Sequence, residues 1–146
     1  MKLTLTIAAF VEFEKIEILC KDRPEGDITM DLKKIEGSIN EFEAAEYTLK
    51  EDSWTQMRIR FKVYRNIVLG LKICSAVNAK VKFMKDEEVM GTFPPTSESH
   101  EITMDPVNTP EGFFARGTYK GKLMFTDADN AVHLIYNFKV KISKTW

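Results

Sequence analysis

Apolar and polar residues alternate along most of this chain with a period of two. Met57-Arg58-Ile59-Arg60-Phe61-Lys62-Val63 does so without a break, which predicts a strand with one buried and one wet face. Ile28-Thr29-Met30-Asp31-Leu32 is a shorter copy of the pattern. Near the end, Leu134, Tyr136, Phe138, Val140 and Ile142 share one parity, with Asn137, Lys139 and Lys141 on the other. Before them Ala115, Gly117, Tyr119, Gly121, Leu123 and Phe125 alternate with Arg116, Thr118, Lys120 and Lys122. The link between these two long strands, Thr126-Asp127-Ala128-Asp129-Asn130, has the composition of a turn. Upstream, Val11 and Phe13 lie on one parity and Ile16, Ile18 and Cys20 on the other. The slip near Lys15 predicts a bulge. Arg23-Pro24-Glu25-Gly26 and Phe93-Pro94-Pro95-Thr96 punctuate as turns. Ile35 to Glu46 is the one candidate for helix, and Gly37, Ser38 and Asn40 reduce it to a short helical turn within a long loop. Seven to nine strands without amphipathic crossover helices predict an all-β antiparallel sandwich. With no repeat or linker, residues 1–146 read as one domain.

Composition narrows the chemistry. The 146 residues suffice for a core without metal or disulfide staples, and 44% hydrophobic with 29% charged residues is the balance of a globular domain. A formal charge of −1 provides no global field for nucleic acid or an anionic membrane, although a local patch can still act. Cys20 and Cys74 admit two readings, a disulfide within a secreted sandwich or two reduced buried thiols in the cytosol. No stretch approaches the ~20 apolar residues of a membrane span. The opening segment, Met1 to Phe10, runs directly into Glu12 and Glu14 and reads as a strand or arm rather than a signal peptide.

Catalytic constellations are not found. His100 and His133 are far apart and lack ligand spacing; His100 reads as a solvated loop or edge, His133 as a hydrogen-bonded structural residue. No Cys-x-x-Cys pair, phosphate loop or nucleophile elbow occurs, so neither a metal, a cofactor nor a catalytic residue is expected. Arg58/Arg60/Lys62 and Arg116/Lys120/Lys122 read as the wet faces of strands rather than a nucleic-acid surface.

A more specific signal lies in Thr109-Pro110-Glu111-Gly112-Phe113-Phe114-Ala115-Arg116-Gly117-Thr118-Tyr119, then Phe125-Thr126-Asp127-Ala128-Asp129, His133-Leu134 and Ile142-Ser143-Lys144-Thr145-Trp146. In motif, order and spacing this resembles the C-terminal half of the Rho GDP-dissociation inhibitors. Ile16 to Cys20, Tyr47 to Glu51, Phe61 to Val63 and Ile67 to Lys72 resemble earlier strands of that family, so the likeness covers roughly Ile16 to Trp146. It implies an immunoglobulin-like sandwich whose sheets part to admit a farnesyl or geranylgeranyl group, with residues 1–15 an N-terminal segment or remnant of a regulatory arm. By motif, Ile18, Tyr47, Ile67 and Phe138 are placed in the lining, Phe138 standing where the family usually has tryptophan. Leu49, Leu71 and Val140 join them by strand parity. Asp129 matches an acidic position that touches the GTPase, beside Ala128, which replaces an acid. Acidic family positions that meet the GTPase's basic tail fall near Met84, Val107 and Asn108, and Asp86, Asp105, Glu111 or the Glu41–Glu51 loop are candidates to replace them.

The resemblance therefore implies a cytoplasmic, monomeric, non-enzymatic regulator. Its partner would be a prenylated Rho-family GTPase, met transiently at membranes during extraction. Two other readings stay open at the level of sequence: a prenyl or acyl carrier for non-Rho lipidated clients, and an interaction domain with a solid core.

Overall fold

In the computed structural model, residues 7–32, 41–78 and 85–146 are described, Asn78 by its backbone alone. Among these residues eleven strands follow in chain order: β1 (Phe10–Cys20), β2 (Ile28–Asp31), β3 (Glu41–Glu43), β4 (Tyr47–Lys50), β5 (Trp54–Tyr64), β6 (Val68–Asn78), β7 (Glu87–Phe93), β8 (His100–Thr103), β9 (Val107–Asn108), β10 (Gly117–Thr126) and β11 (Val132–Ser143). They form two sheets. One runs β2-β1-β5-β8, with β9 also on β5; the other runs β3-β11-β10-β6-β7, with β4 also on β11. The expected immunoglobulin-like sandwich is present, with one refinement: β3 and β4 pair parallel to β11, so the second sheet is mixed.

Period-two patterning produces this arrangement because each inward parity finds the opposite sheet. Ile59, Phe61 and Val63 are buried from one side, and Leu134, Tyr136, Phe138, Val140 and Ile142 from the other. The parity slip in β1 is a register shift between Phe13 and Lys15 against β5, which returns Ile16 and Ile18 to the core. Phe10 to Phe13 and Lys15 pair with β5, so among the described residues the strand extends upstream of the Ile16 to Cys20 segment.

Other expectations change. Residues 35–40 of the proposed helical turn lie outside the described residues, but Glu41–Glu43 is strand. Tertiary burial decides the matter there, because Phe42 stacks on Tyr136 at 5.8 Å and Asn137 Nδ2 donates to both Glu41 and Glu43 at 2.9 Å. His100 opens edge strand β8, its ring packed 5.4 Å from Phe61 and 5.1 Å from Phe93. Cys20 and Cys74 are free thiols, one in each sheet, so no covalent bridge joins the sheets through them. The Tyr119 hydroxyl donates to the Ala115 carbonyl four residues upstream, a tyrosine corner of the kind found in immunoglobulin-type sandwiches.

Candidate lipid-binding cavity

The β4–β11 register sets Tyr47 beside Val140 and Leu49 beside Ile142. Because β11 points Phe138 and Val140 inward, the short parallel strand adds Tyr47 and Leu49 to the same apolar wall. Across the core, Ile18 of β1 and Met57 of β5 are direct partners. Ile73 of β6 and Leu123 of β10 complete the inner surface. Met104 and Val107, on the irregular connection between β8 and β10, close the side.

Between these walls is a cavity of about 80 Å³. That is room for roughly five to eight waters at ~10–15 Å³ each, whereas a pocket for a ligand of prenyl size runs to about 300 Å³ or more. The cavity is therefore a seam that a ligand of that size would have to widen. Its lining suits that: Met57 and Met104 are unbranched and adapt their rotamers readily. Phe138 has a particular seat. It is paired with Gly121 across β10–β11, and a Cβ on Gly121 would lie 2.2 Å from its Cζ. Only the absence of a side chain lets the ring lie against β10 instead of filling the seam.

The polar lining is held by the walls themselves. Gln56 donates to the Met104 carbonyl at 3.2 Å and Thr55 to that of Val107 at 3.5 Å, tying the irregular connection to β5. Burial pushes the Tyr47 phenol, and still more the Tyr136 phenol, well above the ordinary range, so both stay neutral. Charge is kept to the rim, where Lys85 Nζ meets Asp105 at 2.7 Å and the Asp105 backbone N–H donates to Glu88 at 3.2 Å. These contacts reach from the β7 edge of one sheet to the β8–β9 link of the other. An apolar interior with an ionised rim suits a ligand with a hydrocarbon body and a polar end.

Of the residues placed by sequence, Ile18, Tyr47, Leu49, Phe138 and Val140 meet around this cavity. Ile67 and Leu71 lie outside it. Ile67 is in the β5–β6 turn, 42% exposed, its N–H bound by the Asn66 side chain; Leu71 is fully buried in β6 near the β10–β11 turn, away from the seam. Asp105 stands at the rim, but Asp129 is at the opposite end of β10 and β11, and Glu111 is in the β9–β10 loop, so the three acids do not converge. Asp129 sits in a rigid turn. Asp127 Oδ1 accepts the backbone N–H groups of Asp129 and Ala131, and its Oδ2 accepts the Nε2–H of His133 at 2.8 Å. Met57 and Leu123 were legible by parity as inward residues. Met104 and Val107, on a segment with no period, were not. Met84 lies outside the described residues.

Among the described residues, no group of three His, Cys, Asp or Glu side chains is placed to hold a metal, and no helix is long and apolar enough to cross a membrane.

Known proteins resemble the chain over nearly its whole length. The family model described as "RHO protein GDP dissociation inhibitor" matches residues 3–145, beginning upstream of the Ile16 boundary. Rho GDP-dissociation inhibitor 1 of Bos taurus is 32% identical over 133 residues, covering 90% of this chain and 63% of that protein. Rho GDP-dissociation inhibitor 1 of Arabidopsis thaliana is 39% identical over 101 residues, 68% of this chain and 42% of its own length. The Rho GDP-dissociation inhibitor of Saccharomyces cerevisiae is 32% identical over 138 residues, 92% of this chain and 67% of its own length. This chain thus spans about 63% of the length of the cattle protein. On a match over nearly its whole length, the chain belongs to the Rho GDP-dissociation inhibitor family.

Proposed function

We propose that this protein is a Rho GDP-dissociation inhibitor: a cytoplasmic, monomeric, non-enzymatic carrier that takes the farnesyl or geranylgeranyl tail of a GDP-bound Rho-family GTPase into the seam. In doing so it removes the GTPase from the membrane and keeps it soluble and inactive. The observation that carries this reading is the apolar cavity between sheets that no disulfide joins, its rim charged and its interior not. Residues 1–146 act as one prenyl-binding domain, with the first residues as an arm. A buried isoprenoid gains about 0.8 kcal/mol per methylene, so a chain of ~15–20 carbons is driven into a dry apolar slot by the same force that holds it in a bilayer. Ile18, Tyr47, Leu49, Phe138 and Val140 line the slot; Asp105 at the rim and Glu111 meet the GTPase's basic tail, while Asp129 contacts the G domain.

The test is titration of a fluorescent prenylated-cysteine tail peptide beside its unprenylated twin. Saturable binding that requires the lipid and is lost in a folded Phe138→Asp variant is expected, followed by extraction of prenylated Rho protein from vesicles. Lipid-independent binding, or none by folded protein, would sink the proposal.

A further inference from the structure

The β9–β10 loop carries the two most exposed large apolar side chains among the described residues, Phe113 at 79% and Phe114 at 81%. Their rings meet edge-on at 5.5 Å and point away from the core. Slack does not explain this, because the loop is pinned at both ends. At its start the buried Thr109 hydroxyl accepts the Ser53 N–H at 2.8 Å and donates to the Lys50 carbonyl at 2.6 Å. At its end Ala115 and Arg116 donate backbone N–H groups to Gly112, which has φ of 99°, and the Tyr119 corner holds Ala115. The bidentate Arg116–Glu51 pair fastens the same end to the sheet. A turn built this firmly holds two phenyl rings in water, at a cost that a contacting apolar phase would remove.

The surface behind the rings is cationic. Phe113 and Phe114 wall an open groove together with Lys141 and Lys144. From there the outer face of β10 and β11 continues with exposed Lys120, Lys122 and Lys139. Lys120 is paired directly with Lys139 across the strands, an arrangement that is unfavourable without counter-charge. Glu46 approaches Lys139 at 3.7 Å, but among the described residues no carboxylate lies within ion-pair distance of Lys120, Lys122, Lys141 or Lys144. An aromatic tip beside a lysine-bearing face is the composition of a surface that rests in the headgroup layer of an anionic bilayer. A protein partner would need a complementary acidic face around an apolar socket; an anionic membrane provides both without a specific sequence.

The place in the fold gives this surface a use. The loop leaves β9, whose Val107 lines the cavity, and enters β10 at the end of the sandwich where the cavity lies; the Asp129 turn is at the other end. We propose that Phe113 and Phe114, with Lys120, Lys141 and Lys144, dock this end of the protein on anionic membrane surfaces, so that a lipid tail leaving the bilayer meets the seam with little passage through water. The role in tail capture rests on the function proposed above; the membrane contact itself does not.

Flotation with vesicles of equimolar phosphatidylserine and phosphatidylcholine, and with vesicles of phosphatidylcholine alone, tests it on the full chain. Wild-type protein should float with the anionic vesicles, weakly or not at all with the neutral ones, and release as salt rises. Phe113→Ser/Phe114→Ser should weaken binding at least tenfold, as loss of partly inserted rings predicts. Lys120→Gln/Lys141→Gln should weaken it about 25-fold, at about fivefold per lysine. Each variant is first shown to melt like wild type. Absence of vesicle binding by folded wild-type protein at low salt, or binding that neither variant changes, would overturn the proposal. So would variants that weaken a soluble GTPase complex while wild type ignores vesicles, which would make the patch a protein contact. Titration of the prenylated peptide without vesicles separates the two readings: the variants should bind it as wild type does, and failure of wild type to bind it would count against the slot alone.

Discussion

Replacing Gly121 by alanine tests whether the seam depends on where the Phe138 ring lies. A Cβ at position 121 would sit 2.2 Å from Cζ, 2.6 Å from Cε1 and 3.0 Å from Cε2 of that ring, closer than carbon atoms tolerate. Gly121 and Phe138 are ladder partners in the middle of the β10–β11 pair, so the backbone cannot yield cheaply. The ring must tilt off β10, and the free volume beside it is the cavity of about 80 Å³. Overpacking of this kind costs about 1–3 kcal/mol. For a chain of this length that is a fall of roughly 3–10 °C in melting temperature. A ligand entering the slot must then push the ring back against the new methyl, so prenylated-peptide affinity should drop by a similar free energy, about 5- to 150-fold. Thermal melts followed by fluorescence titration measure both. Phe138→Leu in the same chain should relieve the clash, so that Gly121→Ala costs much less in that background than in wild type. A single variant that melts within a degree of wild type and binds peptide within twofold would refute the reasoning, as would a double variant showing no relief.

Tyr136→Phe should leave stability unchanged or raise it slightly, since Tyr136 Oη is buried with no hydrogen-bond partner among the described residues; a loss above about 1 kcal/mol in urea melts would refute this. Tyr119→Phe removes the corner hydrogen bond and should cost about 1–2 kcal/mol by the same measurement. Burial raises the Asp127 carboxyl but the His133 contact and two backbone N–H groups outweigh it, leaving the folded value below the ordinary 3.8. The stability this supplies is present above about pH 3.8 and disappears as pH falls through the lowered folded value; Asp127→Asn should flatten that part of an acid titration of melting temperature. Burial pushes the Cys20 thiol up to about 11, so at pH 8 a thiol reagent should modify half-buried Cys74 well before Cys20, which reacts on unfolding; equal rates in the native protein would contradict the burial described.

Inward and outward positions were legible because burial in a sandwich follows strand parity. The inner series of β5, β10 and β11, and the slip that bulges β1, could be read directly from the residues. Parity does not give height along a strand. Ile67, Leu71 and Ile73 are all apolar residues in or beside β6, yet only Ile73 reaches the cavity, because Leu71 and the residues before it lie toward the β10–β11 turn. Nor does parity say that Asp105 and Asp129, assigned by resemblance to different contacts, stand toward opposite ends of the sandwich. Glu41–Glu43 was unreadable as strand because three residues carry no period; only docking on β11 makes them one. Gly121 stood in the inward series without any sign that its missing side chain is a seat for Phe138, a relation fixed by the β10–β11 register.

The two cavity residues supplied by β4 are attached differently from the rest. β4 is four residues long and lies outside the main path of its sheet; among the described strands it pairs only with β11, and at its end the Thr109 hydroxyl donates to the Lys50 carbonyl. Such an element opens at far lower free energy than the central strands. Substitution of half-buried Tyr47 should therefore reshape the proposed slot at less cost to folding than substitution of Leu49, which is buried in the core. In the proposed slot, Tyr47 is then the lining position at which ligand preference is most readily altered.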